Sequence, residues 1–223
     1  MPNADNLGAS LYVPATHPKL CAIAAGQKLA QLRSLIFCTE DAVHARDLQS
    51  ALANLALALQ ALCPDPQRQR FVRVRSPEVL QHLLALPGIE HIDGFVLPKA
   101  TAANLPDYLR LLTTTRHSLM PTLESVEVFD DGELQRLRQL LLQPAWRARI
   151  LVLRIGGNDL LNLLGLRRQR GHTLYETPVG SVIARLVTTF KPHGFLLSAP
   201  VFEYLDDDAT LEREVRQDLL HGL

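Results

Sequence analysis

The residues of this chain best able to do chemistry stand immediately after short apolar runs: Thr39-Glu40-Asp41, Arg73 with Arg75, Lys99, Glu124 and Asp159. Arg73 and Arg75 alternate with Val72 and Val74, so in an extended segment both guanidinium groups share one face. A planar guanidinium is suited to gripping a carboxylate through two parallel hydrogen bonds. Equally, the two arginines could pair structurally with Glu40 and Asp41, which are themselves candidates for a general base. Lys99 ends an apolar run and could serve as a Schiff-base nucleophile or as a nearby cation. Glu124 and Asp159 each precede helical sequence, so each could also satisfy helix N-terminal amides. Cys21, Cys38 and Cys63 form no C-x-x-C pair, and the histidines form no metal-like cluster.

These residues need elements that hold them at one end of a sheet. Apolar, β-rich runs recur at Leu11 to Pro14, Ser34 to Cys38, Phe71 to Arg75, Gly94 to Pro98, Ser118 to Leu123, Ile150 to Ile155 and Gly194 to Ala199. Helical stretches lie between them. Ser76-Pro77 and Thr177-Pro178 read as helix entrances, and Asp41 to Leu62 carries Leu48, Leu52, Leu55, Leu59 and Leu62 on one stripe. Strict alternation of strand and helix implies a parallel sheet, open or closed. The turn Pro14-Ala15-Thr16-His17-Pro18 has neither G-x-G-x-x-G nor a P-loop, and polar residues gather at the carboxyl ends of the runs. Both features favour a (β/α)₈ barrel over an open nucleotide-binding sheet. Parity places Arg73, Arg75, Lys99, Thr122 and Glu124 on inward faces, while Gly156-Gly157 lets the chain bend before Asp159. With no linker or composition shift, residues 1–223 are expected to be one α/β TIM-barrel domain.

Composition removes other classes. Lys+Arg and Asp+Glu balance at 23 each, leaving no positive field for nucleic acid or an anionic membrane. The apolar run Leu52 to Leu62 is broken by Asn54 and Gln60, short of the ~20 residues a bilayer requires. The start of the chain does not read as a secretory signal, so a reducing cytoplasm is expected. Arg167-Arg168-Gln169-Arg170 reads as a solvated loop or as a receiver for the phosphates of a coenzyme A group.

The motifs, taken in order, resemble the citrate lyase β-subunit-like branch of the HpcH/HpaI aldolase superfamily of TIM barrels. They are Leu11-Tyr-Val-Pro14, Thr39-Glu40-Asp41-Ala42-Val43, Val72-Arg73-Val74, Gly94-Phe-Val-Leu-Pro-Lys99, Pro121-Thr-Leu-Glu-Ser125 and Gly156-Gly-Asn-Asp-Leu160. Gly156 to Gly165 and Thr177 to Phe202 are similar to the subgroup of predicted carbon–carbon bond lyases associated with tellurium-resistance gene clusters. The resemblance implies a Mg²⁺ held by Glu124 and Asp159, with Arg73 binding the substrate carboxylate. Arg75 would assist in substrate binding or only support a loop, Lys99 would assist in substrate binding, and Glu40 and Asp41 would act catalytically, as a base or by holding metal-bound water. It further implies carbon–carbon cleavage or formation in a short oxo- or hydroxy-acid or its acyl-coenzyme A thioester, through a metal-stabilised enolate. Asn158 stands where better-known members carry glutamate. The chain ends about where the family's eighth strand, with its G-K-x-x-x-H-P pattern, should begin, so the barrel is expected to lack that strand or to be closed by a partner. Exposed edges and leucine-rich helices point to a homo-oligomer, a trimer as in related lyases. Rival readings are a metal-free Schiff-base aldolase through Lys99 and a non-catalytic assembly protein on the same barrel.

Overall fold

Runs of β-branched and aromatic residues closed by proline or polar clusters form strands in the computed structural model, which describes residues 2–63 and 65–223. In chain order the strands are β1 (Ser10–Pro14), β2 (Ser34–Cys38), β3 (Gln69–Arg73), β4 (Gly94–Leu97), β5 (Ser118–Leu123), β6 (Leu153–Ile155) and β7 (Leu197–Ser198). Between and after them lie α1 (Leu20–Ala24), α2 (Leu48–Gln60), α3 (Pro77–Leu84), α4 (Leu105–Leu112), α5 (Asp131–Leu142), α6 (Pro144–Arg147), α7 (Gly157–Leu163), α8 (Val179–Phe190) and α9 (Asp208–Leu220). Among the described residues no eighth strand follows β7, and no helix is long and apolar enough to cross a membrane.

The chain divides into two compact units, one running to Pro98 and including Pro106–Met120, the other comprising Lys99–Leu105 and Pro121–Leu223. In the first, β1 pairs with β2, β2 with β3 and β3 with β4, all parallel. Every residue of β2, β3 and β4 is buried, the continuous pattern of strands covered on both faces. α2 turns Ala51, Leu52, Leu55, Ala58 and Leu59 inward and packs beside α1. Glycine is required at Gly94, because a Cβ there would lie 2.0 Å from the Ser118 carbonyl oxygen. Ser76 caps α3 by accepting from the Val79 N–H at 3.4 Å, with Pro77 in the first turn.

In the second unit β5 pairs with β6 and β6 with β7, again parallel, with Thr122 beside Arg154 and Arg154 beside Ser198. The apolar stripe of α8, Val179, Val182, Ile183, Leu186 and Phe190, is buried, and α8 packs on α5 and α7. Its entrance differs from the Ser76 device: Pro178 is the cap residue, and the Thr177 hydroxyl accepts from the Val179 N–H at 3.2 Å.

Several sequence boundaries are corrected, those of β1 and β4 by a single residue. β3 begins at Gln69 and ends at Arg73, since Gln69 and Arg70 are buried through bonds to Asn3 and Cys63 despite their polarity. Of the expected helix from Asp41, only Leu48 onward is α-helical; a 3₁₀ turn spans Ala45–Asp47, and the residues before it form a loop. β6 and β7 are shorter than their runs because Ile150 still donates to Trp146 and Gly194 turns left-handed with φ 78°.

Candidate active site

In the first unit, the segments leaving β2 and β3 are wired together. The Thr39 N–H and hydroxyl both donate to the Arg73 carbonyl, at 3.0 and 2.9 Å. Arg75 donates from Nε to the Thr39 carbonyl at 3.1 Å and from Nη2 to the Glu40 carbonyl at 3.0 Å, and also to the Val43 carbonyl. Its guanidinium therefore fixes the backbone of the Glu40-Asp41 loop, the loop-supporting role that the sequence leaves open for Arg75 beside substrate binding.

Arg73 is 7% exposed, and its Nη2 lies 2.7 Å from Glu40 Oε2 and 2.8 Å from Asp41 Oδ2. The structural ion pairs raised as an alternative in the sequence are thus present for Arg73, whereas Arg75 makes its bonds to carbonyls. The pairs differ in setting: the Glu40 side chain is 9% exposed and that of Asp41 52%. Water screens the Asp41 pair strongly and the Glu40 pair little, so Asp41 is the carboxylate that another anion can displace at low cost. Glu40 Oε2 also accepts from the Asp41 N–H at 2.8 Å. The guanidinium sits 5.8 Å from the centre of the Tyr12 ring. Burial pushes the neighbouring Cys38 thiol above its ordinary range, which keeps it protonated and unreactive.

In the second unit, Glu124 follows the last residue of β5 and is 2% exposed. Its Oε1 accepts from the Lys99 N–H at 3.0 Å. Lys99 holds φ 47°, a left-handed conformation that costs a non-glycine residue about 1 kcal/mol. Strain is thus stored where the backbone meets Glu124, and the Asn104 amide secures the turn by donating to the Lys99 carbonyl at 2.8 Å. The Lys99 residue itself is exposed. On the other side of the carboxylate stands Gly156: a Cβ there would lie 2.3 Å from Glu124 Oε2 and 2.4 Å from Glu124 Cβ. Only glycine permits this approach. Beneath Glu124, the hydroxyls of Thr122 and Ser198 are buried without a hydrogen-bond partner among the described residues, on either side of buried Arg154.

Asp159 is the third residue of α7 and half-buried. Gly156 is the cap position of that helix and contributes no side chain, so Asp159 is not the cap that one sequence reading allowed. Its neighbour Asn158 donates from Nδ2 to Glu203 Oε2 at 3.0 Å and accepts at Oδ1 from Arg168 Nε at 3.3 Å. Arg168, expected in a solvated or phosphate-receiving loop, is buried instead, with Nη1 at 2.8 and 2.7 Å from the two Glu214 oxygens. Arg170 in the same run pairs with Asp206 at 3.0 Å, leaving Arg167 as its exposed cation without such a pair among the described residues. Among the described residues no three His, Cys, Asp or Glu side chains cluster around a common point.

Parallel strands in chain order, with carboxylates and cations on the segments that follow them, are the pattern of an α/β barrel class that keeps its chemistry at the carboxyl ends of its strands. The chain belongs to the family described as C-C_Bond_Lyase of the TIM-Barrel fold, whose model matches residues 1–223. It is a carbon–carbon lyase of a barrel class, consistent with the HpcH/HpaI resemblance, and seven of the eight strands are present among the described residues. No curated protein matches it. Similar solved structures include a citrate lyase beta subunit from M. tuberculosis complexed with oxaloacetate and magnesium, at TM-score 0.68 and 21% identity over 98% of this chain and 91% of that one. RipC from Yersinia pestis aligns at TM-score 0.67 and 20% identity over 96% and 85% of the two chains. A magnesium and glyoxylate complex of Haloferax volcanii malate synthase aligns at 0.74 and 16%, over 96% and 69%. At these identities the likeness is one of fold.

Proposed function

We propose that this chain is a Mg²⁺-dependent lyase that breaks or forms a carbon–carbon bond in a short oxo- or hydroxy-acid, free or as its coenzyme A thioester. The carrying observation is the setting of Glu124, a carboxylate 2% exposed and fixed by the Lys99 N–H, in a cradle that any side chain at Gly156 would fill. Oxygen-only ligation by one or two carboxylates is what Mg²⁺ accepts, so Glu124 with Asp159 fits that ion. When bound, the cation would supply positive charge to the oxygen on which negative charge develops as the bond breaks.

The remaining work falls to the chain's own residues. Arg73 grips the substrate carboxylate with its planar fork. Solvent-facing Asp41 gives up its place on Arg73, while buried Glu40 stays and keeps the guanidinium oriented. Asp41, once released, accepts the proton of the substrate hydroxyl during cleavage and returns it during condensation. Arg75 holds the loop that carries both acids, and Lys99 acts through its backbone N–H and its charge rather than through an imine. Oxaloacetate and glyoxylate in the similar structures support a small oxo-acid as the substrate class. The working unit is taken as one barrel domain, residues 1–223, in a homo-oligomer, with a trimer favoured. In support, β7 is only two residues long, and Leu205, Leu219 and Leu220 are 76%, 67% and 86% exposed.

Cleavage and condensation assays on short oxo-acids and their thioesters test the chemistry. The expected result is activity abolished by a chelator and restored by Mg²⁺, with no mass added by borohydride. Activity that survives chelation, with a borohydride-trapped adduct on Lys99, would overturn the metal reading in favour of the imine.

A further inference from the structure

The β6–α7 turn begins with two glycines and has no capping side chain, so its own sequence does little to fix where Asp159 points. The fixing groups come from later in the chain. Asn158, the residue between Gly157 and Asp159, is held on one side by Glu203 and on the other by Arg168. A glutamate at this position would face Glu203 carboxylate to carboxylate; the amide donates to one neighbour and accepts from the other.

Arg168 is in turn immobilised. Its Nη1 donates to both oxygens of Glu214, its Nη2 to the Val201 carbonyl at 3.2 Å, and its guanidinium lies 5.1 Å from the Phe202 ring centre. The Tyr204 hydroxyl donates to the Arg168 carbonyl at 2.9 Å, and Glu214 Oε2 accepts the Leu174 N–H at 2.8 Å. Both side chains of the ion pair are 2% exposed. A buried pair of this kind is a weak source of stability, because an apolar pair of similar volume often serves as well. An apolar pair could not donate to Asn158, however, and that bond is what the guanidinium adds.

We propose that Arg168, locked by Glu214 of α9, is a positioning residue that sets the β6–α7 turn through Asn158 and so directs the Asp159 carboxylate. The assignment of Asp159 to the metal rests on the function proposed above; the positioning of the turn does not. The segment from Val201 to α9 thereby acts on the proposed metal-binding turn at a distance.

The test compares the wild type with the apolar pair Arg168→Met/Glu214→Leu, with Asn158→Ala, and with Arg168→Lys. Two quantities are measured: Mg²⁺ affinity by calorimetry, and amide hydrogen exchange at Asp159 and Leu160. The double variant should melt within about 5 °C of the wild type. It should nonetheless bind Mg²⁺ about tenfold more weakly and exchange those amides about tenfold faster, the scale of losing one neighbour that orients a ligand. Asn158→Ala, which leaves the ion pair intact, should reproduce both changes, and Arg168→Lys should not rescue them. Wild-type exchange and affinity in a folded double variant or in Asn158→Ala would overturn the proposal, as would full rescue by lysine. A wild type that binds no Mg²⁺ would count against the metal reading alone, and the exchange rates would still decide the role of Arg168.

Discussion

Replacing Gly156 by alanine places a methyl group 2.3 Å from Glu124 Oε2 and 2.4 Å from Glu124 Cβ. Ordinary carbon–carbon contact begins at about 3.5 Å, so the overlap is roughly 1 Å. The carboxylate end could swing aside, but Glu124 Cβ is fixed to the backbone immediately after β5. Gly156 cannot retreat freely either, since its N–H donates to the Leu123 carbonyl at 3.1 Å. Its φ of −92° is accessible to alanine, so the whole cost arises from the collision. Overpacking of this size costs about 1–3 kcal/mol, and a displacement near 1 Å at a reacting group costs about a hundredfold in rate. Gly157→Ala is the comparison: its methyl would meet Leu174 Cδ1 at 2.5 Å and Pro200 Cβ at 2.9 Å, apolar neighbours rather than Glu124. Urea unfolding should show both variants destabilised, while Mg²⁺ calorimetry and lyase assays should show the larger loss in Gly156→Ala, whose collision is with Glu124 itself. If Gly156→Ala unfolds and binds Mg²⁺ like the wild type, the close approach to Glu124 does not constrain the site and the reasoning fails.

Further outcomes follow from the same geometry. Asp218 on α9 is pushed up to about 6, first by burial and then by the charge of Glu214, against the Tyr175 hydroxyl that donates to it at 2.7 Å. A raised carboxyl favours the folded state when protonated, so its contribution is complete below about pH 4 and lost as pH rises through about 6. Asp218→Asn keeps an acceptor for Tyr175, and urea unfolding should find it about 2 kcal/mol more stable than the wild type at pH 8, with little difference at pH 4. Equal stability of the two proteins at pH 8 would refute the shift. Ser76→Ala removes the cap on the Val79 N–H and should cost about 1 kcal/mol, read as a lower urea midpoint at constant slope. Sedimentation at micromolar concentration should show a trimer, and a sole species of 24.8 kDa would refute the oligomer.

The sequence revealed β2 and β5 to the residue because each is an apolar run stopped by charged or polar turn residues. It concealed the start of β3, since Gln69 and Arg70 look solvated and are buried only through distant partners. The ion pairs of Arg73 with Glu40 and Asp41 were legible, because strand parity and charge offered them as one of two readings. The support around Asp159 was not legible. α9 buries Thr210, Glu214 and Asp218, one residue per turn, so its inward face is polar and hydropathy marks it as solvent-facing. Arg168 was masked in the same way by Arg167 and Arg170, and nothing local connects it to a glutamate many residues later. The Gly156 cradle had a visible signal, two adjacent glycines before a helix, but its partner Glu124 is apparent only once β5 and β6 are paired.

Coupled calorimetry of Mg²⁺ and an oxo-acid such as oxaloacetate tests the proposed site most directly. The wild type should bind the acid only when Mg²⁺ is present; Glu124→Gln should lose the metal and with it the acid; Arg73→Ala should keep the metal and lose the acid. Wild-type Mg²⁺ binding in both Glu124→Gln and Asp159→Asn, or acid binding that ignores Mg²⁺ altogether, would contradict the proposed site.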